Sequence, residues 1–440
     1  MVHAPIPAAA APVSGDKEPH GKSADPPDAG AGLTPGGHLA QEKGTPPPPA
    51  SGTPRRHVWW PWAVGAAVTI GLVLVIALSK GGMVASITGP STIAIGGVAP
   101  VTGEAASFGL AAKNGYELAV AEWNDRGGVL GKQIKLVFAD DHGDPAAGAA
   151  AYTQLIQQDK VVAILGPVMS KVALAGAPIC QAAQIPMMGA TCTNPRVTLT
   201  GDYIYRACFI DPFQGTLGAK FAFEVLNAKK AACLFDIGND YTKGLSEFFR
   251  TKFTALGGQI VAYEGHSTGT TDFTPQLTTI LAGAPDVLYV SDYYNDTALI
   301  ARQVRELGFN GPLIGGDGWD SPKLVEVGGP AVEGCFFTNH YSQDDTSTIT
   351  QAFIRRYRAK HNADPDALSA LGYDAANLML DAIQRAGSTD GPAIKAALAR
   401  TNLKVVTGQV IFGSDRNPVK SGVIIEIKDG RQVYRTTINP

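Results

Sequence analysis

The sequence predicts an α/β protein: two doubly wound, Rossmann-like parallel-sheet lobes joined by a hinge, preceded by one N-terminal transmembrane helix. Three observations predict it. The chain is uncharged from Val58 to Ser79, apolar strands alternate with helical stretches from Ser91 onward, and several of those strands recur at one fixed offset.

Residues 1–56 are rich in Pro, Ala and Gly ("TPPPPASGTP") and hold almost no bulky apolar side chains. Such a segment cannot bury enough surface to offset the entropy of ordering, so it reads as a disordered tail. Residues 57–80 read as a transmembrane signal anchor or a signal peptide, because about 20 apolar residues span a bilayer. Trp59, Trp60 and Trp62 suit the headgroup interface, and Arg55 and Arg56 outnumber Lys80 across the segment, a bias that leaves the tail in the cytoplasm and exports the rest. The small residues around Ala77-Leu78-Ser79 also resemble a cleavage site, so both fates stay open.

The 440-residue chain has 45% apolar and 17% charged residues, a globular balance with room for two or three domains. A net charge of −3 gives no reason to expect nucleic acid as a partner. The five cysteines (Cys180, Cys192, Cys208, Cys233 and Cys335) form no C-x-x-C pair and have no His spacing suited to zinc. They read as small buried apolar residues, with a single disulfide as the alternative.

The apolar runs are "TIAIGGVAP", "QIKLVFADD", "VVAILGP" and "IPMMGA", then "AACLFDI", "QIVAYEG", "DVLYVSD" and "PLIGG". Short continuous apolar strands separated by helical pattern imply βαβ units and sheets covered on both faces. "LGKQI" (130–134) matches "LGGQI" (256–260) at an offset of 126 (256 − 130). "VAIL" (162–165) falls on "LYVS" (288–291), and "IPMMGA" (185–190) on "GPLIGG" (311–316), at the same offset. Two lobes of like topology follow, expected over residues 90–210 and 211–340.

Ligands of such sheets bind beyond the C-terminal strand ends. Two matched ends therefore face one cleft: "ATCT" (190–193) offers hydroxyls and backbone N–H groups, and "GDGW" (316–319) offers the carboxylate of Asp317. Hydroxyl and N–H donors stabilise an anion, and an aspartate accepts charge-assisted hydrogen bonds from an ammonium. The matching ligand is a zwitterion such as a free amino acid. Alternatively, Asp317 shapes a turn or caps the helix expected near Ser321, and Ser170 caps the helix "SKVALAGAPICQAA".

From about Ile93 to Tyr434 the chain resembles the type I periplasmic binding proteins of the leucine/isoleucine/valine-binding branch, which serve ABC importers. The resemblance rests on "VTGEAASFG", "NDRGGVLGKQIKLVFADDHGDP", "GPVMS", "GATCTNP", "IGNDYTKG", "DFTPQL", "GGDG" and "LGYDA", taken in order. It implies that Ser170 and Thr193 hold the ligand carboxylate and that the Thr191 carbonyl and Asp317 hold the ammonium, although family members often carry a glutamate at this last position. Phe108, Met169, Tyr241 and Tyr293 map to the side-chain pocket, with Leu368 a looser match. Lys171 and Asp292 would add polarity near the cleft. The resemblance also implies a hinge crossed near residues 211–213, 340–345 and 406–412, with part of 345–405 returning to the first lobe and part of 406–440 to the second.

Strong enzyme signatures are few: the sequence has no G-x-x-x-x-G-K-[ST] or H-E-x-x-H, and no G-x-G-x-x-G after the first strand. Asp140, Asp141, His142 and Asp144 read as a cap and solvated loop before the helix at Pro145, and His266, His340 and His361 read as surface residues. No cofactor or metal is expected. The sequence thus predicts an extracytoplasmic amino-acid-binding protein, not an enzyme, partnered by ABC permease subunits and tied to the membrane by its N-terminal helix or released after cleavage. A ligand-sensing domain of a signalling system, for an amino acid, amide or small carboxylate, is the alternative.

Overall fold

The computed structural model describes residues 92–439. The predicted tail and membrane segment lie outside the described residues. Among the described residues no helix is long and apolar enough to cross a membrane.

The first sheet contains β1 (Thr92–Ala99), β2 (Gln133–Asp140), β3 (Ile164–Leu165), β4 (Met187–Gly189) and β5 (Ile204–Arg206), all parallel, in the order β2-β1-β3-β4-β5. The second contains β6 (Lys230–Asp236), β7 (Gln259–His266), β8 (Val287–Val290), β9 (Leu313–Gly315) and β10 (Phe336–Asn339), in the order β7-β6-β8-β9-β10. The two orders are the same topology. The repeat carries through to the strands: β2 and β7 begin at Gln133 and Gln259, and β4 and β9 coincide residue for residue at the shared offset.

Most strands in both sheets are buried on both faces, which is why their sequences run apolar without alternation. In each sheet the order reverses between the first and third strands, so the loops after β1 and β3, and after β6 and β8, open a crevice at the C-terminal edge.

Late segments complete both lobes. β13 (Gly422–Lys428) pairs antiparallel with β10, and β14 (Arg431–Ile438) pairs with β13, extending the second sheet. A separate hairpin is formed by β11 (Asn402–Val405) and β12 (Gly408–Ile411). Helix Ala367–Ala386 packs on helix Ala106–Asp125, which follows β1. Their contact is glycine on backbone: a Cβ on Gly115 would lie 2.2 Å from the Ser369 carbonyl oxygen, and one on Gly372 would lie 2.5 Å from that of Ala112. Gly115→Val must push these helices apart, and it is expected to cost about 1–3 kcal/mol of stability, seen as a lower urea midpoint.

All five cysteines are buried and free, in line with the apolar reading. Burial raises their thiols, that of Cys192 to about 11.

Candidate functional site

The crevices of the two sheets meet in a small cavity. Its first wall comes from the opening turn of helix Ala106–Asp125 (Phe108), the start of helix Ser170–Ala183 (Val168, Met169, Ser170) and the loop after β4 (Thr191). The opposite wall carries Tyr241 at the start of helix Asp240–Ala255, Tyr293 just before helix Tyr294–Glu306, and Asp317 and Gly318 in the turn after β9. Leu368 adds an apolar side chain from helix Ala367–Ala386. Of the eight residues expected to bind ligand, seven line this cavity. Thr193 does not; it is fully buried in the same loop, and its hydroxyl has no hydrogen-bond partner.

The aromatic wall is interlocked. Tyr241 and Tyr293 lie parallel with centroids 5.4 Å apart, and Phe108 meets Tyr293 edge-on at 5.6 Å. Asp317 is held by three donors: Oδ1 accepts from Gln214 Nε2 (2.8 Å) and the Tyr241 hydroxyl (2.9 Å), and Oδ2 accepts from His340 Nε2 (3.0 Å). The Tyr241 hydroxyl in turn accepts from the Gly318 amide at 3.1 Å.

Both capping alternatives give way to other contacts. The helix Pro322–Gly328 is capped by Ser321, whose side chain accepts from the Lys323 amide, so Asp317 has no capping role there. Ser170 makes no cap bond; its hydroxyl accepts from the Asn194 amide at 3.2 Å and ties the two loops of the first wall together. Thr191 donates to the Val168 carbonyl at 2.9 Å, a second tie between the same loops. The loop is anchored from below by Arg206 at the end of β5, which is fully buried and donates to the carbonyls of Cys192 (2.6 Å) and Asn194 (2.9 Å).

Burial pushes the Asp211 carboxyl up to about 8; nearby Arg206 opposes the rise and Asp317 adds to it. At neutral pH Asp211 is therefore mostly uncharged, and Asp317 is the acid that lines the cavity.

The walls are also joined directly. Ser107 and Ser321 share a hydrogen bond across the cleft at 2.8 Å, Tyr294 donates to the Glu104 carbonyl at 2.6 Å, and Asn194 donates to the Asp240 carbonyl at 2.8 Å. The structure is a closed form.

This arrangement finds its counterpart among known proteins. The profile of the family described as Periplasmic binding protein matches residues 92–432. The chain belongs to the periplasmic binding protein family. It is a family of binding proteins, not of enzymes. Leu/Ile/Val-binding protein BraC3 of Rhizobium johnstonii is 31% identical over 324 residues, covering 73% of this chain and 87% of that protein. The leucine-binding protein LivK of Thermotoga maritima superposes with a TM-score of 0.76 at 39% identity, over 79% of this chain and 99% of that one. LivJ of Streptococcus pneumoniae, solved in complex with isoleucine, gives 0.76 at 33% identity, over 80% and 100%.

Other sequence expectations for this binding protein need correction. His266 and His340, expected at the surface, are 2% and 4% exposed, and only His361 keeps partial exposure. His266 faces the buried Asp292 at 3.3 Å, so Asp292 is engaged within the second lobe. Lys171, also expected near the cleft, is half-buried and does not line the cavity. Asp144 does cap helix Pro145–Gln157, accepting from the amides of Ala146 and Ala147. Among the described residues no cluster of His, Cys, Asp and Glu has a metal-binding arrangement. Arg206 and His340 were missed because β5 and β10, whose ends carry them, are not among the apolar runs, and Gln214 lies on the helix after β5; the one available signal was a charged arginine inside the aromatic run "YIYRACF".

Proposed function

We propose that this protein is the extracytoplasmic substrate-binding component of an ABC importer, and that it carries a free hydrophobic amino acid, of branched-chain type, in the cleft between its lobes. One observation carries the reading. Asp317 stands on one wall, the N-terminus of helix Ser170–Ala183 with Thr191 stands on the other, and the space between is lined by Phe108, Met169, Tyr241, Tyr293 and Leu368.

A helix N-terminus with free amides attracts a carboxylate, and Ser170 adds a hydroxyl there. Asp317 and the Thr191 carbonyl accept the ammonium. The apolar and aromatic lining takes the side chain. Relatives named for leucine, isoleucine and valine, and a solved neighbour holding isoleucine, support this choice of side chain. An importer partner in the membrane and an N-terminal anchor or cleaved signal complete the proposal.

Ligand contacts from both walls exist together only when the lobes are closed, so binding shifts an open–closed equilibrium by that differential affinity. The Ser107–Ser321 bond belongs to the closed form without lining the cavity. Ser107→Ala is therefore expected to weaken binding about two- to tenfold, the worth of one hydrogen bond, while leaving ligand preference unchanged.

Calorimetric titration with leucine, isoleucine, valine and benzoate tests the proposal. One-to-one binding of a branched-chain amino acid is expected. Folded protein that binds none of the amino acids, or that prefers benzoate, overturns it.

A further inference from the structure

We propose that His340 is a positioning residue that makes the cleft prefer an amine-bearing acid over the same acid without its amine, by giving Asp317 a neutral hydrogen-bond donor in place of a counter-charge. The proposal rests on the amino-acid reading of the cleft.

Three donors reach the Asp317 carboxylate, and of these Gln214 and Tyr241 hydrogen-bond it without bringing charge. Only His340 could arrive as a cation and neutralise the carboxylate from within the protein. Its surroundings oppose that. Nε2 donates to Asp317 Oδ2 at 3.0 Å, while Nδ1 is buried and has no partner. In the neutral ring Nδ1 is a bare acceptor; a second proton there would be a buried donor with nothing to receive it, which costs about 1–3 kcal/mol.

The ring face lies on Phe209, with centroids 3.5 Å apart and planes 26° from parallel, so no polar group meets it on that side. Lys420, fully buried between the Ala207 carbonyl and Thr407, adds a like charge nearby. Asp317 pulls the other way, but burial dominates and holds the imidazole below its usual range. Of the remaining titratable groups around this corner, the Cys208 thiol is pushed up by burial and stays neutral, and the Asp211 carboxyl is likewise mostly neutral.

The unneutralised charge of Asp317 is thus left for the ligand. A bound ammonium supplies the missing cation; a ligand without one leaves a buried carboxylate uncompensated. His340 follows β10 and Gln214 lies on the helix after β5, so both hold Asp317 from segments where the chain leaves one sheet for the other.

The test compares leucine with 4-methylpentanoate, the same carbon skeleton without the amine, by calorimetry on wild type, His340→Gln, His340→Leu and His340→Lys. Wild type should prefer leucine strongly. His340→Gln keeps a neutral donor and should keep that preference, whereas His340→Leu should weaken leucine about tenfold or more. His340→Lys places a permanent cation against Asp317 and should shrink the preference at least about tenfold.

A second readout needs only the stable proteins. Between about pH 7 and 8, where a histidine held below its usual range stays neutral, wild type and His340→Gln should show the same leucine preference. Variants that all retain the wild-type preference, or a preference that wild type but not His340→Gln loses between these two pH values, overturn the proposal alone. Wild type that binds no amino acid overturns the reading of the cleft, and this proposal with it.

Discussion

Asp317→Ala is expected to weaken amino-acid binding by about a hundredfold to several thousandfold, because removing one member of a buried ion pair costs about 3–5 kcal/mol. The alanine variant leaves the ligand ammonium in a cavity whose lining offers no other ionised acid. It also strands the donors of Gln214, Tyr241 and His340, so some loss of fold stability accompanies the loss of binding. That loss is partly offset, since Asp317 works against the ionisation of Asp211.

Asp317→Asn separates the effects. It keeps the shape and one acceptor while removing the charge, and should lose most of the leucine affinity with a smaller change in melting temperature. Calorimetry for binding, and thermal unfolding without ligand for stability, measure the two. An Asp317→Asn variant with wild-type affinity for leucine would show that the ammonium is held elsewhere.

Arg206→Met is expected to cost about 3–5 kcal/mol of stability, the largest single loss we predict outside the ligand contacts. A fully buried guanidinium must be met by acceptors, and here the Cys192 and Asn194 carbonyls and the Thr198 hydroxyl meet it. Methionine fills much of the volume but leaves two buried carbonyls without donors. Lysine does not rescue, because one ammonium cannot reproduce the planar fork that spans both carbonyls.

Because those carbonyls belong to the loop that carries Thr191 and Thr193, the same variant should also weaken binding. Urea unfolding gives the first effect and titration of the remaining folded protein the second. Equal midpoints for wild type and Arg206→Met would contradict this account.

The reasons why some features were legible in the sequence are local. β4 and β9 were visible because continuous apolar residues between two helix layers leave a one-dimensional signature, and a duplicated lobe writes that signature twice. The strand ends follow from the strands, so Thr191 and Asp317 could be placed from the repeat, whereas Ser170 came from the family resemblance. β13 and β14 were not read as strands: "GVIIEIK" is apolar, but β14, "RQVYRTTI", is an edge strand and mixes in exposed polar residues. His340, in the polar run "NHYSQDD", offers no periodicity; only the packing of Phe209 and Asp317 around it makes it a core residue. Thr193 had the right loop but the wrong depth, since the turn that exposes Thr191 to the cavity buries its neighbour but one.

The late arrival of β13 beside β10, and of helix Ala367–Ala386 against helix Ala106–Asp125, bears on how the chain is made. Neither lobe is a contiguous stretch of sequence. As synthesis proceeds from the N-terminus, the first lobe lacks a covering helix until residues 367–386 emerge, and the edge of β10 stays open until residues 422–428 emerge. Stable burial in either half therefore waits for nearly the whole polypeptide. Folding of a chain built this way is set by pairings between residues far apart in sequence, and is correspondingly slow.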